Sequence, residues 1–479
     1  MQVTAFDCVD SWLVTGCEDG NINITDLATG ECCHRFRHGS GSGDRYRGIT
    51  SIHCMSAPCP GSQAFLFFTG CSNGMLKAWS IPVDTSRTPS TPNPPPSSAS
   101  YWGIRMNLRL KQSLAVMKAH TAPVTCLTAK PLDGPAGWLL ASGDDHGLVC
   151  LSRGSEKSST TTCCSSSIHA NLPKPGGASA RPSSALSSGK VSISCLAFIG
   201  APVAASGGTF SDAAAGAVKG KGTKKTANTP GGAGAAVTAG AGMVAAGSED
   251  YLGVGTSTGL ISVLDLVTAH PIYQVVGHAG KVTQMIGLHS NEFISCSMDR
   301  SIKLWDIRTR NRPTQNFAGK ILEERSLGPA NYRRCAASPI TAIAVGGGDS
   351  SLVVSTSADG VVRIWDRRYD VNVPCSVTQG HSNRITAIGW NGVDEFHTAS
   401  HDGTVRTWDS INGQNTHTLQ AFADEGITGM KMTKFRCAQH VTITPRGPVT
   451  FTDHDKLSSR TCLVTRGWNG TIKAFVHDV

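Results

Sequence analysis

The residues able to do chemistry are numerous but poorly placed for it. Gly220-Lys221-Gly222-Thr223 combines the glycines and the lysine of a phosphate-cradling loop. Its spacing is wrong, no strand runs into it and no helix pattern follows it. Gly253, Gly255 and Gly259 fall inside a hairpin pattern, which removes the strand–turn–helix context of a dinucleotide fingerprint. Seventeen cysteines are scattered without a CxxC pair, and Cys32-Cys33 and Cys163-Cys164 are adjacent, poor geometry for sharing one ion. Cys8, Cys126, Cys195 and Cys296 lie on strand-like runs, where they read as small apolar fillers in a reducing compartment. No catalytic residue, metal ligand or cofactor site is assigned, and the chain reads as non-enzymatic.

The elements that hold these residues repeat. Phe293 to Arg310 (FISCSMDRSIKLWDIRTR) reads as two short strands joined by a tight polar turn, with apolar and polar residues alternating as on a half-buried strand pair. The design returns at Val353–Arg368 (VVSTSADGVVRIWDRR) and Phe396–Ser410 (FHTASHDGTVRTWDS). Each has an Asp opening the turn and a Trp six places later. Self-similarity of this kind is the mark of a repeat architecture.

These residues resemble the WD40 family, through Trp305-Asp306, Trp365-Asp366 and Trp408-Asp409, the turns at Asp299, Asp359 and Asp402, and Gly277-His278 and Gly380-His381 upstream. The resemblance implies a hydrogen-bonded tetrad within a blade. Two sets match fully: His278, Ser295, Asp299, Trp305 and His381, Thr398, Asp402, Trp408. A third has Ser355, Asp359 and Trp365 without a preceding Gly-His. The two histidines therefore read as tetrad members rather than general bases.

The rest of the chain is read against this unit. First-strand, hairpin and outer-strand patterns recur from Met1–Phe36, Ile49–Lys118, Val124–Ser152 and Val191 to His278, then in the three units above, and last from Ile427 to Val479. Trp79 ends the second hairpin, Asn73-Gly74 makes its turn, and Ala119-His120 resembles the Gly-His position. Low-complexity insertions are expected at 82–100, 154–189 and 200–249. About 370 residues remain without them, which suits eight units of roughly 40–45 residues better than seven. The expected fold is all-β: a single WD40 β-propeller over 1–479, eight blades favoured. The last unit lacks a fourth strand, so the sequence does not say which segment seals the ring.

Charged residues make up 16% of the chain and the net charge is +9, which permits acidic partners without demanding them. Met1–Gly16 lacks the pattern of a signal peptide, and Gly231–Gly247 is apolar only through Ala and Gly, so no membrane span is expected. The resemblance implies a scaffold that binds other proteins, in the cytoplasm or the nucleus. Two further readings stay open. Trp305-Asp306-Ile307-Arg308 and Trp365-Asp366-Arg367-Arg368 match the WDxR motif, whose Arg in one subset of WD40 proteins docks on the adaptor of cullin-4 ubiquitin ligases; Arg308 and Arg368 are the candidate docking residues. Arg308, Arg310, Arg312, Lys320, Arg325, Arg333 and Arg334 cluster as an RNA-binding surface of a ribonucleoprotein or ribosome-assembly factor could, although only Tyr332 offers base stacking.

Overall fold

The computed structural model describes residues 2–27, 30, 32–39, 48–55, 64–82, 113–132, 137–155, 158–167, 191–200, 251–288, 291–309, 312–317, 338–347, 350–369, 371, 373–392, 394–437, 439–444, 447–452 and 458–477. These form eight small antiparallel sheets around one axis. Blade 1 comprises β1 (Val3–Val9), β2 (Trp12–Cys17), β3 (Asn21–Asp26) and β4 (Cys32–Arg37). Blade 2 has β5 (Ile49–Met55), β6 (Ala64–Cys71), β7 (Met75–Pro82) and β8 (Ala115–Lys118). Blade 3 has β9 (Val124–Leu132), β10 (Gly137–Asp144), β11 (Leu148–Ser155) and β12 (Ser158–Ser167); blade 4 has β13 (Ile193–Ile199), β14 (Tyr251–Thr256), β15 (Leu260–Asp265) and β16 (Pro271–Val276). Blade 5 has β17 (Val282–Gly287), β18 (Glu292–Ser297), β19 (Ile302–Asp306) and β20 (Pro313–Asn316); blade 6 has β21 (Ile340–Gly346), β22 (Leu352–Ser357), β23 (Val361–Asp366) and β24 (Ser376–Gln379). Blade 7 has β25 (Ile385–Asn391), β26 (Glu395–Ser400), β27 (Thr404–Asp409) and β28 (Asn415–Gln420). In blade 8, β29 (Ile427–Cys437) is followed by a ribbon, β30 (Gln439–Thr444) and β31 (Gly447–Thr452), before β32 (Ser458–Gly467) and β33 (Ile472–His477) complete a three-stranded sheet.

Within a blade the strands run from the axis outward as a, b, c and d. The a–b and c–d turns lie at one end of the axis, the lower face. The b–c turns and the links to the next blade lie at the other, the upper face. The innermost strands touch in cyclic order, β1, β5, β9, β13, β17, β21, β25, β29 and back to β1. Apolar cores fill the spaces between neighbouring blades: Trp12, Val14 and Ile24 of blade 1 pack with Phe65, Phe67 and Trp79 of blade 2. A middle strand therefore has a neighbouring blade on both faces. This corrects the half-buried expectation for Phe293–Ser297, which is buried throughout. Its serines are tolerated there because they are hydrogen-bonded.

One Thr or Ser marks each innermost strand: Thr4, Thr50, Thr125, Ser194, Thr283, Thr341, Thr386 and Thr428. Each sits at a register shift against strand b, where a bulge leaves an extra residue. All eight hydroxyls donate to a strand-b carbonyl of their own blade, as Thr125 does to Gly143 (3.1 Å) and Thr386 to Ala399 (3.2 Å). Five also reach a carbonyl on the next blade, including Ser194 to Val282 (2.7 Å) and Thr386 to Ile427 (2.8 Å).

Blade 8 meets blade 1 without exchanging a strand among the described residues. Arg466 replaces the bridging hydroxyl: its Nε donates to Thr428 Oγ1 (2.8 Å) and its Nη1 to the Thr4 carbonyl. Thr433 Oγ1 donates to the Asp10 carbonyl (2.7 Å), and Lys431 pairs with Asp7 (3.2 Å).

The segment expected as an insertion from 154 is in part structural. β11 continues to Ser155, and the threonine-containing run Ser158–Ser167 pairs with it as the fourth strand of blade 3. Low apolar content hid it, but an outermost strand needs little, and Thr favours extended chain. Similarly, β7 runs on to Pro82. The remaining insertions and the basic stretch 318–337 lie outside the described residues.

Candidate interaction surfaces

The two full sets of polar residues come together. In blade 5, His278 Nδ1 lies 3.0 Å from Asp299 Oδ2, its Nε2 lies 2.8 Å from Ser295 Oγ, and Trp305 Nε1 donates to the same Oγ at 2.8 Å. In blade 7 the distances are 2.9 Å from His381 to Asp402, 2.8 Å to Thr398, and 2.8 Å from Trp408 to Thr398. The Asp oxygens also accept main-chain N–H groups, Ala279 and Ser301 at Asp299, Ser382 and Thr404 at Asp402. Burial opposes the charged carboxylates. The bonds from His278 and Ser301, and from His381 and Thr404, outweigh it and hold both well below the usual range. These bonds tie strand, turn and link together within each blade.

The third set is incomplete in space as in sequence. Trp365 donates to Ser355 Oγ (2.9 Å), but Phe317 stands where the histidine would be, edge-on to Trp365. Asp359 faces Arg363 (3.8 Å), a 2% exposed side chain that also donates to Ser357. Sequence reasoning missed two further sets. His120 joins Ser142 (2.7 Å) and Asp144 (3.1 Å) in blade 3, with the Asp two places after the Ser instead of in the turn. In blade 2, Trp79 donates to Thr69 (3.0 Å) and His38 contacts Cys71. The Ala119-His120 and Arg37-His38 pairs at the unit boundaries were the available signal.

The axis encloses a channel of about 700 Å³. Asp7 on its wall accepts the Cys8 and Cys54 N–H groups and faces Lys431 and His53 (3.5 Å), so the carboxylate is fully engaged. Burial pushes the Cys126, Cys296 and Cys462 thiols up to about 12, far from a reactive thiolate. Among the described residues no group of three or more His, Cys, Asp or Glu could hold a metal, and no helix is long and apolar enough to cross a membrane.

The lower face is different. Four consecutive blades, 4 to 7, end strand c with Asp265, Asp306, Asp366 and Asp409. Each Oδ1 accepts the N–H two residues on, from Val267 (2.9 Å), Arg308 (2.9 Å), Arg368 (2.9 Å) and Ile411 (2.8 Å). These four Asx turns present their second residue alike. Val267 is 69% exposed and Ile411 79%, and the side chains of Arg308 and Arg368 are 70% and 57% exposed. Each guanidinium folds back on its own Asp, at 2.6 Å for Arg308–Asp306 and 2.7 Å for Arg368–Asp366. The bond from Arg308 in turn holds Asp306 below the usual carboxylate range. The heads are thus fixed in direction while still facing solvent. Tyr369, 72% exposed, extends the same arc.

Eight four- or three-stranded sheets in a closed ring, two of them braced by a full tetrad, define a β-propeller built from sequence repeats. Three stretches, 269–306, 332–366 and 372–409, match the model of the WD domain, G-beta repeat. The chain therefore carries WD40 repeats over these stretches. It is 28% identical over 141 residues to the ribosome biogenesis protein WDR12 homolog of Arabidopsis thaliana, 29% of this chain and 28% of that protein. It is 28% identical over 170 residues to the GATOR2 complex protein Wdr59 of Drosophila melanogaster, 34% of this chain and 16% of that one. It therefore spans about a quarter of one relative's length and a sixth of the other's. The structure of Sqt1 from Saccharomyces cerevisiae superposes with a TM-score of 0.60 at 11% identity, covering 100% of this chain and 96% of that one. The designed Ika8 protein gives 0.54 at 16% identity, covering 99% and 96%. At such identities the likeness is one of fold.

Proposed function

We propose that this propeller is a non-catalytic scaffold that assembles other proteins, and that the arc of c–d turns on blades 4 to 7 is a binding surface. The observation that carries this reading is the fourfold Asx turn holding Val267, Arg308, Arg368 and Ile411 outward in one register. Apolar and arginine side chains presented rigidly lose little entropy on docking, which favours affinity. Partners recovered by affinity purification should be lost in part when Arg308→Ala and Arg368→Ala are combined, in a protein that melts normally. An unchanged partner set would sink the assignment of this surface. The adaptor of cullin-4 ubiquitin ligases is the specific partner to look for among those lost.

A second reading, a role in ribosome assembly, is favoured by the ribosome biogenesis proteins among the relatives. It calls for co-sedimentation with pre-ribosomal particles and for RNA retention that weakens steeply with salt. Absence of the protein from those fractions would remove it.

A further inference from the structure

Seven of the eight blades cover strand c with a fourth strand. Among the described residues β33, strand c of blade 8, pairs with β32 on one edge and with no strand on the other. Neither a proline nor a register shift blunts that open edge. The burial of its side chains agrees. Ile472 is half-buried, whereas the residue at its place in the other seven blades, from Ile22 to Val405, is at most 2% exposed. Ala474 is exposed, and Val476 is 44% exposed. In five of those seven blades the strand-d residue opposite that place is bulky and apolar: Phe36, Met117, Val275, Phe317 and Leu419. Each packs into the core shared with the next blade. The core between blades 8 and 1, against which Ile472 packs, buries only Leu13, Cys462 and Val464 among the described residues. Every other such core buries at least seven apolar side chains. On the opposite side of β33, Phe475 packs into the blade 7 core, and Lys473 donates to the Ala421 carbonyl (2.8 Å).

We propose that a second copy of this chain covers the edge: β33 of each copy pairs antiparallel with β33 of the other about a two-fold axis at Ala474. In that register Val476 lies opposite Ile472 of the second copy, and Lys473 lies opposite Phe475. Ile472, Ala474 and Val476 share one side of the strand by alternation. Each copy thus delivers to the other, at the joint of blades 8 and 1, the apolar residue that strand d delivers elsewhere. The neighbouring symmetric registers fit worse. One centred on Lys473 opposes two ammonium groups, and one centred on Phe475 sets Ile472 opposite Asp478. This edge lies apart from the arc of blades 4 to 7 and stands or falls without it.

The test is the mass of the full chain in solution, together with cross-linking. Light scattering at micromolar concentration should give twice the mass of one chain. Val476→Lys sets an ammonium opposite Ile472 and should give the single mass, with unchanged circular dichroism because Val476 is exposed. Ala474→Cys should form a disulfide-linked dimer on air oxidation, since the register brings the two positions face to face at the separation of a cross-strand pair. Val476→Cys, whose counterpart in the second copy lies displaced along the strand, should cross-link no more than the parent with its own cysteines. Three results would overturn the proposal. They are a single mass for the parent, as when another stretch of this chain or a different protein takes the edge, a dimer that survives Val476→Lys, and equal cross-linking at the two cysteine positions.

Discussion

Arg466 of blade 8 donates its Nη1 hydrogen to the main-chain carbonyl of Thr4 in blade 1. The two residues are 462 apart in sequence and adjacent in space. At other joints a Thr or Ser hydroxyl makes this bridge within the inner ring, as Thr386 does to Ile427. At the last joint the residue in that register, Thr428, accepts from Arg466 Nε, and the guanidinium spans the remaining gap. A half-buried cation with two protein acceptors thus holds the seam that sequence reasoning left unassigned.

Replacing Arg466 with Met should open that seam without emptying it. Loss of charge-assisted bonds to partly buried acceptors costs about 1.5–3 kcal/mol. A lowered melting temperature, with faster proteolysis near the termini, would register it. A melt equal to that of the parent would show that the guanidinium is dispensable.

The third residue of every b–c turn has positive φ. Seven are glycines, such as Gly360 at +77° and Gly403 at +78°, and the eighth is Arg300 at +74°. A side chain in the left-handed region is strained, whereas glycine adopts it freely. Arg300→Gly should therefore stabilise the protein, by about 0.5–1 kcal/mol after the entropy it adds to the unfolded chain. Urea unfolding would reveal the sign.

Trp305→Phe removes the donor to Ser295 and leaves that buried hydroxyl short of one partner; Asp402→Ala strips His381 and two main-chain N–H groups of their acceptor. Each should cost about 1–3 kcal/mol. Unchanged melts in both variants would contradict the clamp role given to these groups.

Acid should act through the same carboxylates. Asp299 and Asp402 have folded pKa values below the unfolded value of about 4. Their contribution is complete above that value and declines as pH falls toward the folded pKa, because the unfolded chain then binds protons that the folded one does not. Stability should drop below about pH 4, and Asp402→Asn should flatten that limb while lowering the plateau. An acid limb identical in the variant would remove Asp402 from the account.

Much of this was legible because the polar residues of blades 5 and 7 obey one spacing, and because a Trp and a turn Asp stand out in any sequence. The eightfold inner hydroxyl was equally present, as Val3-Thr4, Ile49-Thr50, Val124-Thr125, Ile193-Ser194, Val282-Thr283, Ile340-Thr341, Ile385-Thr386 and Ile427-Thr428. A two-residue pattern carries no weight until the register of the repeats is known. β12 was hidden for the opposite reason, since its serines and threonines give no hydrophobic period. The exposed Asx turns were half visible: WDxR drew attention to Arg308 and Arg368, but Val267 and Ile411 hold the same position without the motif. The link from Arg466 to Thr4 could not be read at all, because it depends on the ring bringing the two ends of the sequence together.

The central claim is that ring closure, and it can be measured as a distance. Spin labels at Glu18 and Asn469, on the turns of blades 1 and 8, are tied through Gln2 if the ring is shut. Pulsed electron spin resonance should then give one narrow population at short range. A long or broad distribution, as from the two ends of an open stack or from two separate globules, would contradict it.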